Sequence, residues 1–165
     1  MTLVAARVYR GGRCLRDLDL TDTVALPQLQ DGDFAWVGLH DPTADEMARC
    51  ARLFGLHPLA VEDAINGRQL PKVEQFGDEL FIVARTAALK GAAIVYGETA
   101  IFLGRDHIVT VRHGSDIGHG GLRARLEDRP ALLAMGPDYV AHEVLDLIVD
   151  HYFPVIDAIE ARVDQ

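Results

Sequence analysis

The chain has 165 residues, 49% hydrophobic and 7% aromatic, with a formal net charge of −9. That composition excludes a fibrous or disordered chain and leaves one domain, or one domain with an appended element, large enough to bury a core unaided. The charge argues against nucleic acid as a partner, because a phosphate backbone needs lysine and arginine patches; an acidic surface suits cations.

Cys14 and Cys50 have no metal-ligand spacing and read as reduced thiols in a cytosolic setting. The N-terminus shows no charged-then-apolar leader, and no run reaches the ~20 apolar residues of a spanning helix. The expectation is a chain that does not itself cross a membrane.

Along the chain, Leu3 to Tyr9 predicts a strand, Gly11-Gly12 a turn, and Arg13 to Leu20 a return strand. Phe34 to Leu39 predicts a buried strand. Thr43 with Glu46 three residues on is a capping box, so a helix follows through Met47, Cys50, Ala51 and Phe54 until Gly55. Pro58 opens a second helix that ends at Asn66-Gly67. Leu80 to Ala88, Ala92 to Leu103 and His107 to Arg112 predict three strands joined by short turns, an antiparallel meander. The Gly-rich stretch His113 to Gly121 predicts a mobile loop. Short helices are expected at Leu122 to Glu127 and Pro130 to Met135, and Pro137 opens a long helix to the last residue.

That last helix has two faces. Val140, Val144, Ile148, Tyr152, Val155, Ile159 and Val163 form an apolar stripe, and Glu143, Asp146, Asp150, Asp157, Glu160 and Asp164 an acidic one. No stop signal closes it, so continuation beyond Gln165 is expected, with a slight kink at Pro154 and breakage of the helix there as the competing outcome. Trp36, Phe54, Phe81 and Phe102 are core candidates. His57 reads as a helix-start or packing residue. His113, Asp116 and His119 could chelate zinc weakly. No serine or cysteine sits in a nucleophile motif, and no glycine stretch matches a phosphate or dinucleotide loop, so no enzyme is expected.

The stretch FGLHPLAVEDAINGRQLPKVEQFGDELFIVAR (Phe54 to Arg85) resembles the signature of the CorA magnesium and cobalt transporter family. WVGLHDPTADEM (Trp36 to Met47), FLGRDHIVTVR (Phe102 to Arg112) and the helix Asp138 to Asp164 are similar to further pieces in the same order. The family's two transmembrane helices and the Gly-Met-Asn motif between them are absent, and Gln69-Leu70-Pro71 stands where the family often has Gln-Arg-Pro.

The resemblance implies an α+β fold: a mostly antiparallel mixed sheet flanked by helices in an α/β/α layering, followed by a long C-terminal stalk helix. Residues 1–136 would be a cytoplasmic regulatory domain and 137–165 the start of the stalk. The full-length protein would be a homopentamer, multi-pass in the cell membrane, with this part on the cytoplasmic side. Mg²⁺ (or Co²⁺ or Zn²⁺) bound between subunits would regulate it. By the same resemblance Glu62 and Asp63 match an acidic pair at that intersubunit site, and Asp146 matches a stalk position of the same region. Asp150, one helical turn later, could extend it. Zinc-transporting ZntB-like relatives share the fold and are the alternative; a free-standing metal-dependent α/β enzyme is the less favoured one.

Overall fold

A computed structural model describes residues 3–21 and 28–164. Its centre is a seven-stranded sheet in the order β2-β1-β3-β7-β6-β5-β4. β1 (Leu3–Arg10) and β2 (Arg13–Asp17) form a hairpin over Gly11-Gly12, and β1 pairs antiparallel with β3 (Phe34–His40). β4 (Lys72–Phe76), β5 (Glu79–Lys90), β6 (Ala93–Leu103) and β7 (His107–His113) form an antiparallel meander. β3 and β7 close the sheet with a parallel pairing, Ala35 opposite His107 through His40 opposite Arg112.

Helices cover both faces, as a sheet with apolar side chains on each side requires. α1 (Ala44–Phe54) and α2 (Pro58–Asn66) pack on one face, where Met47, Cys50, Ala60 and Ala64 meet Val37, Phe81, Phe102 and Val111. α3 (Gly120–Glu127), α4 (Pro130–Leu133) and α5 (Pro137–Asp150) pack on the other, where Val140, Val144 and Ile148 meet Trp36, Ile101 and Ile108. α6 (Tyr152–Val163) continues from α5 along β5; the Tyr152 hydroxyl donates to the Arg85 carbonyl and Arg162 to that of Ala92. β3 lies inside the sheet with both faces covered, which is why FAWVGLH reads as one apolar run rather than an alternation.

The α+β layered fold agrees with the sequence expectation, with local differences. The meander has a fourth strand, β4, whose KVEQF alternates weakly because it is an edge. The second strand stops at Asp17 rather than Leu20 and is exposed throughout. The long helix is two helices joined at His151, and Gln165 lies outside the described residues. The break has a covalent cause: Pro154 has no N–H for the Asp150 carbonyl at i−4, and its ring crowds that carbonyl. Trp36, Phe81 and Phe102 are fully buried, while Phe54 packs half-buried against the core.

The Gly-rich stretch is pinned where mobility was expected. Arg112, itself buried, donates to the carbonyls of Ser115 (3.4 Å) and Ile117 (3.0 Å), and Ser115, Ile117 and His119 are buried.

Candidate metal-facing surfaces

α2 carries the first acidic pair, and three local devices fix it. At its start, His57 takes the cap position: its Nδ1 accepts from the Leu59 N–H (3.2 Å) and its ring stacks on Phe76 with centroids 4.1 Å apart. His57 is thereby committed to structure, as its sequence position indicated. In the middle, Ala60 and Ala64 press on the sheet. At the end, the His113 ring sits against the Ala64 carbonyl (Nε2 to O, 2.5 Å) and Asp41 (Nδ1 to Oδ1, 3.0 Å). With Ala60 and Ala64 facing in, Glu62 is exposed and Asp63 half-buried at the rim. Glu62 edges a shallow groove between α1 and α2 lined by Ala48, Ala51, Leu56, Val61 and Ile65.

The second pair lies on α5. Val144 and Ile148 face the core, and Asp146 and Asp150 fall on the solvent side one turn apart. Among the described residues neither has a side-chain partner.

α2 and α5 cover opposite faces of the sheet. The four carboxylates are thus not gathered within one chain. Among the described residues no group of three or more His, Cys, Asp or Glu side chains is placed to hold a metal ion. Each pair is at most half of a site.

The acidic pair on α2 is not free of basic neighbours, because Lys72 reaches it from β4. Its ammonium lies 2.6 Å from Asp63 Oδ2 and 2.5 Å from Glu74 Oε1. These hydrogen bonds, the Asp63 one foremost, hold Lys72 above the ordinary lysine range. Lys72 and Glu74 are contacts that sequence reasoning missed. The available signal was KVE itself, which puts Lys72 and Glu74 on one side of a strand.

The histidine chelate is corrected. His113 is held by Asp41 and Ala64, and Asp116 pairs with Lys90 (3.1 Å). His119 turns into the protein, 3.5 Å from the Thr110 hydroxyl. Burial, with Arg112 and Arg123 nearby, pushes its pKa down to about 4. The three side chains serve three different structural contacts.

The architecture is that of the soluble domain of CorA from Methanocaldococcus jannaschii: TM-score 0.71 at 17% identity, covering 99% of this chain and 63% of that one. The ZntB cytoplasmic domain from Vibrio parahaemolyticus shares it, with TM-score 0.66 at 12% identity, over 99% of this chain and 64% of that one. Sequence goes further than fold: residues 31–165 match the CorA-like Mg²⁺ transporter protein family, and the chain belongs to that family. The cobalt/magnesium transport protein CorA of Thermotoga maritima is 26% identical over 156 residues, 90% of this chain and 44% of that protein. The chain spans about half the length of the curated relatives it matches. The family is one of transporters, in line with the lack of an enzymatic motif in the sequence. Among the described residues no helix is long and apolar enough to cross a membrane.

Proposed function

We propose that this chain is the divalent-cation-sensing cytoplasmic part of a CorA-like magnesium and cobalt transport protein that works as a homopentamer in the cell membrane. In this reading Glu62 and Asp63 of one copy face Asp146 and Asp150 of the next. The observation that carries it is the placement of the two acidic pairs on opposite outer surfaces of one domain, which suits half-sites completed by a neighbour.

The donor set fits a hard cation. All four groups are carboxylates, and Mg²⁺ retains waters and needs only one or two such ligands. The Lys72 ammonium beside Asp63 supports this reading, since a cation already sits against that carboxylate. When bound, Mg²⁺ would neutralise carboxylates that otherwise repel across the junction. The rest follows from the chain: at −9 per copy, assembled copies push apart unless those charges are compensated. Loosening of the ring when the ion is scarce is the proposed route to an open channel.

The ZntB neighbour shares the fold, so fold alone does not select the cation. The oxygen-only donor set favours Mg²⁺ over Zn²⁺, since His57 is engaged as a helix cap.

Melting in EDTA and in Mg²⁺ tests the proposal. A ligand at about ten times its Kd adds about 1.4 kcal/mol, which is roughly 3–5 °C in Tm for a domain of this size. The rise should vanish when Glu62, Asp63 and Asp146 are replaced together by alanine. Superimposable curves in EDTA and Mg²⁺ would refute an ion site on this chain.

A further inference from the structure

The contact between Lys72 and Asp63 joins two elements at the rim of the core. Lys72 opens the edge strand β4, and period-two alternation puts Lys72, Glu74 and Phe76 on the side that α2 covers. Its ammonium is 5.8 Å from the centre of the Phe81 ring, a fully buried side chain. The lysine stem is therefore laid over the core and delivers the charge into the gap between helix and strand. There two carboxylates from different elements, Asp63 on α2 and Glu74 on β4, hold one ammonium at 2.6 and 2.5 Å. The side chains of this triad are partly exposed: 27% for Lys72, 28% for Asp63 and 40% for Glu74. A divalent ion in solution can reach them, and the lysine competes for the same oxygen.

We infer that Lys72 is a tethered cation that occupies Asp63 when no divalent ion is bound and sets the ion concentration at which the site fills. The inference rests on the proposed role of Asp63 as an ion ligand. Two features make the lysine a competitor rather than a fixed strut. It is bound to Asp63 by the tip of a flexible side chain, so release needs only rotamer changes. It also keeps a second partner: on leaving Asp63 the ammonium stays with Glu74, so no charge is stranded. Glu74 is thus the resting place of the displaced lysine. With both side chains still open to water, a pair of this kind is worth ~0–1 kcal/mol, small enough for a divalent ion to displace. The same triad blocks monovalent ions, which offer Asp63 no more charge than the ammonium already there.

The test is a Mg²⁺ titration of the chain, followed by calorimetry and by Tm, in four forms: wild type, Lys72→Met, Asp63→Asn and Arg52→Gln. Arg52 is an exposed cation beside Glu62 with no contact to Asp63, and it controls for the general field. The expected result is a midpoint about fivefold lower in Lys72→Met, the fold-change that ~1 kcal/mol corresponds to, less than about twofold change in Arg52→Gln, and loss of the response in Asp63→Asn. An unchanged or higher midpoint in a folded Lys72→Met, or an equal fall in Arg52→Gln, overturns the competition. Should Lys72→Met fail to fold, lysine side-chain NMR of the wild type decides: the Lys72 ammonium signal must shift with the same Mg²⁺ midpoint, and a signal that stays fixed overturns the inference. If the wild type gives no response, or Asp63→Asn keeps all of it, the ion site itself is at fault and the inference falls with it.

Discussion

His107 begins β7, and its ring is buried between Glu79, the first residue of β5 (Nε2 to Oε2, 2.7 Å), and Asp106 (Nδ1 to Oδ1, 3.1 Å). Gly104 between the strands has no side chain because the ring fills that space: a Cβ there would fall 2.2 Å from His107 Cε1. Burial favours the neutral imidazole, but the two carboxylates outweigh it, so the pKa lies above the usual histidine value. The sign follows: a histidine with a raised folded pKa contributes its stability in full below its unfolded value of about 6.5. It loses that contribution as pH rises through the folded value. His107→Leu leaves Glu79 buried without its partner and should cost about 3–5 kcal/mol near pH 5. Denaturant unfolding of both proteins at pH 5 and pH 9 checks it: the gap should narrow at the higher pH. A gap that widens would mean that the stranded Glu79 carboxylate, and not the His107 charge, sets the pH dependence. Nothing local in GRDHIVTV signals this pair, because Glu79 is 28 residues away.

At the scale of elements, α1 shows what local chemistry can disclose. Thr43 Oγ1 accepts from the Glu46 N–H (3.3 Å), Glu46 Oε2 accepts from the Thr43 N–H (2.8 Å), and Gly55 closes the helix with φ 65°. Each of these contacts spans a few residues, so the sequence pattern carries them. Thr43→Ala should cost about 1 kcal/mol, read as a lower denaturation midpoint at constant slope; no loss would mean that the box adds nothing to the fold. α2 was legible for the same reason, from Pro58 to Gly67. β4 was less so: five residues with charges at two of them give no strand bounds until β5 is seen to pair with it. The hinge at His151 was half legible. Pro154 announced a disturbance, but where the helix yields depends on Tyr152 and Val155 finding β5 and the core, which is tertiary. The triad of Lys72, Asp63 and Glu74 escaped because it joins a helix to an edge strand.

At the scale of the molecule, one sheet separates two cores. Trp36 sits in the second, fully buried beneath the Arg123 guanidinium at 4.0 Å, which also donates to the Tyr9 hydroxyl (2.9 Å). Parallel pairing of β3 with β7 joins segments some seventy residues apart and cannot be read from alternation alone. The acidic residues were visible in the sequence, and their types suited a hard cation. Their distribution was not: only the layer order reveals that Glu62 and Asp63 look out from one side and Asp146 and Asp150 from the other. An ion shared by these groups must join two copies in a head-to-tail manner, since the two surfaces differ.

That geometry is tested most directly by mixing two damaged chains. One carries Glu62→Gln and Asp63→Asn, the other Asp146→Asn and Asp150→Asn. Neither pair with itself can build a complete junction, but the intact α5 surface of the first can meet the intact α2 surface of the second. Sedimentation should show Mg²⁺-dependent association only in the mixture, reversed by EDTA. Association of either variant alone, or none in the mixture under conditions where the wild type assembles, would contradict an ion held between opposite faces of neighbouring copies.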